Sequence, residues 1–401
     1  MSTKRLVFLY YAFQFFFSLL LWVPIFYAYQ QQLGLSDPEI FKIQSIYYIA
    51  FCVLEIPTGM MADAIGRRRS MRFGAAALVG ANLLVVGIPT FIGPYMGFVV
   101  HWLLIALSRS LISGASSAYL YDALQDRGDK EIYKQAEGNA RAYGLVGKVA
   151  CWAGIGFLMQ WHFTLPYWLT AFSALCAFAV AMMLPQDSGA KRSSPLLLLP
   201  RAFAIVRGSP KLALLMVQGI GLFTLVRLVQ VNLFQPILGA KGFGVETFGI
   251  ILAGSSIFEA VGSARPAWMR RFVGDFHAVT LLTVVMAAAM SVMAVGNAWI
   301  AVAALAVFSF IAGISFPIQR QVFNDAIPEP SLRATLLSME SIVDRSVCAW
   351  AALQLGDYLA AGRLNHFLHG AAVVAAIVTL AVAVAVGAMK SGRQDVRQPA
   401  V

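Results

Sequence analysis

An all-α integral membrane fold follows from three observations. Apolar residues make up 59% of the 401-residue chain and charged residues only 12%, against roughly 45–50% and 25% in soluble proteins. The apolar residues fall in runs of about 20, the length a helix needs to cross roughly 30 Å of hydrocarbon. Gly, Pro and charged residues gather between the runs, where they punctuate loops. A soluble enzyme, a disordered chain and a secreted disulfide scaffold are thereby excluded. The four cysteines (Cys52, Cys151, Cys176, Cys348) lie inside apolar runs without CxxC spacing and read as small packing residues.

The first run, 6–28, follows Lys4-Arg5 and is far longer than a signal-peptide core of roughly 7–15 residues, so it reads as a retained span. Runs 41–62 and 73–92 follow, the latter closed by Gly93-Pro94, and then 96–121. Runs 141–161 and 164–184 complete a first half. A longer break at 185–211 carries Pro185, Ser188-Gly189, Lys191-Arg192 and Pro195. The second half holds 212–238, 246–269, 277–295 and 299–323, then 334–358 after Pro328-Glu329-Pro330, and last 366–389. The expected organisation is a six-helix bundle over 1–184, a cytoplasmic loop over 185–211, a second six-helix bundle over 212–389 and a cytoplasmic tail over 390–401.

The net charge is +11. On a solvated domain that would suggest nucleic acid, but here the basic residues sit in short loops between apolar runs. A cytoplasmic N-terminus places most of the 30 Lys and Arg on cytoplasmic loops, as the positive-inside rule requires. Both termini are therefore expected in the cytoplasm of a multi-pass protein of the inner membrane. Its expected partners are lipid and a small-molecule substrate, with no nucleic acid.

The two halves echo each other at a near-constant separation. Leu54-Glu55-Ile56 matches Phe258-Glu259-Ala260, Tyr121-Asp122-Ala123-Leu124 matches Asn324-Asp325-Ala326-Ile327, and Lys148…Cys151 matches Arg345…Cys348. Two parallel six-helix repeats, with a substrate site near the midplane, account for this order.

Between the second and third runs the chain reads Gly59-Met60-Met61-Ala62-Asp63-Ala64-Ile65-Gly66-Arg67-Arg68-Arg69. It resembles the loop signature of the major facilitator superfamily, a GxxxD followed by GRR. Gly59 is suited to close helix approach, Asp63 to pairing with Arg or with helix-end amides, Gly66 to a tight turn, and Arg67 and Arg68 to clamping facing helices. The resemblance implies a conformational switch at this loop and alternating access between two bundles. The second half has no acid where Asp63 would fall, although Arg270-Arg271 and Gly274 persist. The Leu-Glu-Ile-Pro-Thr-Gly run into the loop looks most like bacterial efflux-type members. The fifth run lacks the proline of the GPxxGG-like signature that drug/proton antiporters carry.

Ionisable side chains at membrane depth are costly and mark function. They are Glu55, Arg109, Lys148, Arg227, Glu259, Arg320, Glu340, Asp344 and Arg345. Glu55 and Glu259 are suited to proton exchange or to a buried salt bridge. Arg109 precedes Gly114 in a run similar to the family's fourth-helix motif, which implies a part in proton coupling. Arg227 and Gln230 share a helix face and can recognise an anionic group; alternatively Arg227 pairs with Asp344 or Glu340. Gln14, Trp22, Tyr119 and Gln319 are candidate cavity residues. Asp122, Asp325, Lys148, Asp344 and Arg345 are candidate gate or ion-pair residues. No Walker A or GxGxxG motif is present, and His366…His369 lacks further metal ligands, so neither a cofactor nor a metal is expected. The reading is a monomeric, non-enzymatic, proton-coupled exporter of a small organic molecule such as a drug-like compound or a siderophore. The alternative is a proton-coupled importer.

Overall fold

The computed structural model describes residues 1–91, 93–186, 195–329 and 332–395. Ser188-Gly189, Lys191-Arg192 and Pro330, read above as loop markers, lie outside them. All regular structure among the described residues is helical. Ten helical stretches are long and apolar enough to cross a membrane, and a further pair bent by 45° makes an eleventh. The run 334–358 is also helical, but it carries Glu340, Asp344, Arg345 and Asp357.

In chain order the helices are α1 (Thr3–Ser18), α2 (Phe26–Gln32), α3 (Asp37–Ile65), α4 (Arg67–Phe91), α5 (Pro94–Ile112) and α6 (Ala115–Gln125). Next come α7 (Tyr133–Trp152), α8 (Ile155–Trp161), α9 (Leu165–Met183), α10 (Pro195–Gly208), α11 (Pro210–Arg227) and α12 (Phe234–Ala240). The last six are α13 (Val245–Ala264), α14 (Ala267–Arg270), α15 (Asp275–Val295), α16 (Ala298–Ala326), α17 (Arg333–Ala360) and α18 (Leu364–Asp395). Local chemistry sets the starts. Ser36 and Glu39 form a capping box on α3, with the Ser36 amide donating to Glu39 Oε2 at 2.9 Å. The Ile300 amide donates to Asn297 Oδ1 at 2.9 Å at the head of α16.

The chain divides into two compact units. Unit 1 comprises residues 1–196, 243–253 and 352–360. In its core Tyr10 and Phe13 of α1 pack with Met71 of α4, Tyr119 of α6 and Ala177 of α9. The first turns of α13 join this unit because Gly249 sits against the Trp152 carbonyl, where a Cβ would overlap it. Beside it Gln160 donates to Glu246 at 2.8 Å. Unit 2 comprises residues 197–242, 254–351 and 361–401. Its core joins Leu212 and Leu215 of α11, Phe323 of α16 and Leu336 of α17.

The structure corrects the expected central loop. Residues 195–208 of the 185–211 segment are the helix α10, whose Ala202 is fully buried in the unit 2 core, and Arg201 pairs with Glu329 at 2.8 Å. The Pro and charge markers had hidden a short amphipathic helix. The expected tail likewise begins as helix, since α18 runs to Asp395.

The Gly249 packing is testable by thermal unfolding in detergent. Gly249→Leu should destabilise the protein by about 1–3 kcal/mol through overpacking. Gly254→Leu, with open space at its Cβ position, should be close to neutral.

Candidate functional site

The motif loop is built by a turn that only glycine accepts readily. Gly66 has φ +95°, in the left-handed region, and so separates α3 from α4. The turn directs Arg67 inward, where it pairs with Asp122, donates to the Ala118 carbonyl at 2.9 Å and lies 3.6 Å from Asp63. One buried guanidinium thus joins α3, α4 and α6. Arg68 donates to the Met182 carbonyl at 3.0 Å, and Arg72 donates to Ala181 and Met182 at 3.2 and 3.1 Å. These two cations sit at the C-terminal end of α9, where the helix dipole favours positive charge. Gly59 departs from expectation: a Cβ there would meet nothing within 4 Å, so it mediates no close helix approach in this structure.

In unit 2 the charged side chains at membrane depth converge on α17. Glu340 and Asp344 are one turn apart and nearly inaccessible, at 0% and 2% exposure. Each faces one arginine. Arg320 of α16 donates to Glu340 at 2.5 Å, and Arg227 of α11 donates to Asp344 at 2.7 Å. Thr224 donates a second hydrogen bond to Asp344 at 3.1 Å. The Arg320 guanidinium lies 4.5 Å from the Phe223 ring centroid and 5.4 Å from that of Phe316, so cation–π attraction helps hold it. Glu340 has room because position 219 is glycine: a Cβ there would overlap Glu340 Oε1 and lie 2.7 Å from Gln319 Nε2. Of the two partners offered for Arg227, the structure selects Asp344.

Immediately after Arg227 the backbone widens into a π-helix, Leu228–Leu233, a form frequent at functional sites. It places Gln230 so that its amide donates to Glu259 of α13 at 2.9 Å. Gln319 is fully buried and donates to the Leu215 carbonyl at 2.9 Å. Arg227, Gln230, Glu259, Gln319 and Asp344 therefore all lie in unit 2.

The remaining candidates are dispersed. Glu55 on α3 and Lys148 on α7 are half-buried in unit 1. Arg109 is exposed near the end of α5, just before the break at Ser113–Gly114. Gln14 donates to the Tyr10 hydroxyl at 2.8 Å. Arg345 turns back onto Ser341 of its own helix. Asp325 was expected to anchor as Asp122 does, but it is exposed and makes no ion pair among the described residues. Arg270 instead serves Asp275 at 2.9 Å and Gln321 at 2.6 Å.

Two features escaped the sequence reading. Glu340–Arg320 was not singled out as a site pair, because membrane depth alone does not say which charges face each other. Glu137, which precedes the expected span 141–161, was not singled out, yet it accepts from Tyr10 and Ser117, each at 2.7 Å, and from Arg141 at 3.2 Å. The cause is that α7 starts at Tyr133, ahead of the expected span.

Arg67→Ala should cost about 3 kcal/mol, since it leaves the largely buried Asp122 without its counter-charge. Arg68→Ala should cost less than about 1 kcal/mol, the usual worth of a cation at a helix end. Melting of both variants in detergent measures the difference.

Residues 7–344 match the sequence profile of the Major Facilitator Superfamily. No curated protein sequence matches the chain. Among solved structures, the nucleoside transporter NupG superposes with a TM-score of 0.80 at 15% identity, covering 96% of this chain and 99% of that one. The peptide transporter POT in complex with sulfate superposes with a TM-score of 0.76 at 13% identity, covering 95% and 94%. The D-xylose-proton symporter gives 0.71 at 11% identity, covering 94% and 96%. At these identities the likeness is one of fold, while the profile spans most of the sequence. The chain is a transporter of the major facilitator superfamily.

Proposed function

We propose that this protein is a proton-coupled exporter of a small organic molecule, working as a monomer in the inner membrane with both termini in the cytoplasm. The observation that carries the coupling is the pair of carboxylates on α17, each buried against an arginine. A buried carboxylate can bind a proton and release its arginine, or lose the proton and recapture it. Glu340 Oε2 is held by Arg320, whereas its Oε1 is buried without a hydrogen-bond partner and is the atom suited to receive the proton. Of the earlier coupling candidates, Glu259 stays close to this machinery through Gln230. Glu55 and Arg109 stand in the second rank: Glu55 is only half-buried in unit 1, and Arg109 is exposed near the end of α5.

Substrate contact is assigned to the π-helical segment, with Arg227 and Gln230 at its start. The loop around Arg67, Asp63 and Asp122 is assigned to the conformational switch. Export is supported by the efflux-type Leu-Glu-Ile-Pro-Thr-Gly run.

Untargeted mass spectrometry of cells and medium, comparing a deletion strain with an overexpressing one, tests the reading. A compound should move into the medium with expression. Glu340→Gln, present at equal abundance in the membrane, should reduce that movement at least about tenfold. A compound accumulating inside would reverse the direction to import. No compound moving either way would overturn transport.

A further inference from the structure

The first span of unit 1 is interrupted in mid-course. α1 stops at Ser18, the chain crosses Leu19–Trp22, and a short 3-10 turn at Val23–Ile25 leads into α2. Side chains from other helices take up the freed backbone groups. Trp152 Nε1 donates to the Leu20 carbonyl at 3.0 Å, and the Leu21 amide donates to Thr170 Oγ1 at 3.0 Å. Backbone can be irregular at membrane depth only where it is satisfied in this way or lines a cavity, and broken spans are where transporters place ligands. The first span of the second half is irregular too, at the π-helix Leu228–Leu233.

The break presents Trp22 to a buried aromatic group in unit 1. Trp22 lies 5.2 Å from Trp102, 5.6 Å from His101 and 6.1 Å from Tyr167, where it stacks. Trp102 in turn meets Tyr47 at 5.0 Å and Phe26 at 5.7 Å. Gln30 is one helical turn from Phe26 and Gln44 one turn from Tyr47, so both carboxamides share a face with rings that touch Trp102.

Six side chains here are buried with polar atoms that have no hydrogen-bond partner: Trp22 Nε1, Trp102 Nε1, His101 Nε2, the Tyr29 hydroxyl, and both carboxamide atoms of Gln30 and of Gln44. Buried polar groups are nearly always paired, so a concentration of this kind points to a ligand. His101 Nδ1 contacts the Ala81 carbonyl at 2.8 Å. That carbonyl can only accept, which leaves Nε2 of the neutral ring as an acceptor. The group therefore offers two indole donors, two carboxamides that donate and accept, a hydroxyl and an acceptor nitrogen, all among aromatic faces. None of these side chains is charged in that form.

We propose that this cluster binds a small, neutral heteroaromatic molecule, a ring with both donor and acceptor edges such as a pyrimidine, a purine or a pyridine carboxamide. The ring would intercalate among the aromatic faces around Trp22 and Trp102 and bond through its edge to Gln30 and Gln44. The inference rests on the transport reading and assigns the molecule carried a contact in unit 1 besides that of Arg227 and Gln230.

Titration calorimetry on the purified full chain in detergent, at fixed pH with no gradient, tests it using uracil, adenine and nicotinamide, with benzoate and cyclohexanol for comparison. At least one heteroaromatic should bind while benzoate and cyclohexanol do not. Gln44→Leu and Trp22→Phe should each weaken that binding about tenfold or more. The second substitution keeps an aromatic ring while removing the indole N–H and the ring atoms that carry it. If none of the three binds, or if both folded variants bind as the parent does, the site assignment is wrong. Because no gradient is present, failure here is separable from failure of transport or coupling: a charged compound moving into the medium would leave the transport reading standing and remove only this one.

Discussion

Charge matching at membrane depth is the constraint that organises unit 2. Glu340 and Asp344 are almost wholly buried, and removing the partner of a buried ion costs about 3–5 kcal/mol. Arg320 and Arg227 must therefore arrive from α16 and α11 at the right height on α17. That requirement explains the missing side chain at Gly219, whose Cβ would overlap Glu340. It also explains the aromatic rings of Phe223 and Phe316 around Arg320. Apolar residues of the same volume would be as stable or more so, so retention of four charges points to use rather than to stability.

Unit 1 uses arginine differently. Arg67 bridges three helices at one end of the unit, while Arg68 and Arg72 close the carbonyl end of α9. These contacts are made at helix termini, where free backbone groups and acidic residues are available and where the chain can rearrange without uncovering a charge in hydrocarbon. In the proposed mechanism, a switch at an end and charge pairs in the spans separate conformational control from coupling.

Much of this arrangement is readable in the sequence, and the remainder fails for identifiable reasons. Span positions follow from hydropathy because the cost of burying an unpaired backbone in lipid leaves few alternatives to a helix. The Gly66 turn is readable because its chemistry is local. The breaks at Leu19–Trp22 and Leu228–Leu233 are not, since apolar residues continue through both. Nor is the choice between Asp344 and Glu340 as the partner of Arg227, which depends on the rotation of α11 and α17 about their axes. Asp325 shows the limit of repeat arithmetic: its counterpart Asp122 meets Arg67, but Arg270 is taken by Asp275 and Gln321.

The central claim is that Arg320 and Glu340 form a pair retained for coupling, and a double-mutant cycle reads it directly. Arg320→Met and Glu340→Met, singly and together, would be compared for thermal stability in detergent and for pH-gradient-driven flux in everted vesicles. Each single substitution should destabilise the protein by about 3–5 kcal/mol. The double substitution should return stability close to that of the parent, with flux that no longer responds to the gradient. A double variant as unstable as either single one, or one whose flux still follows the gradient, would contradict the account.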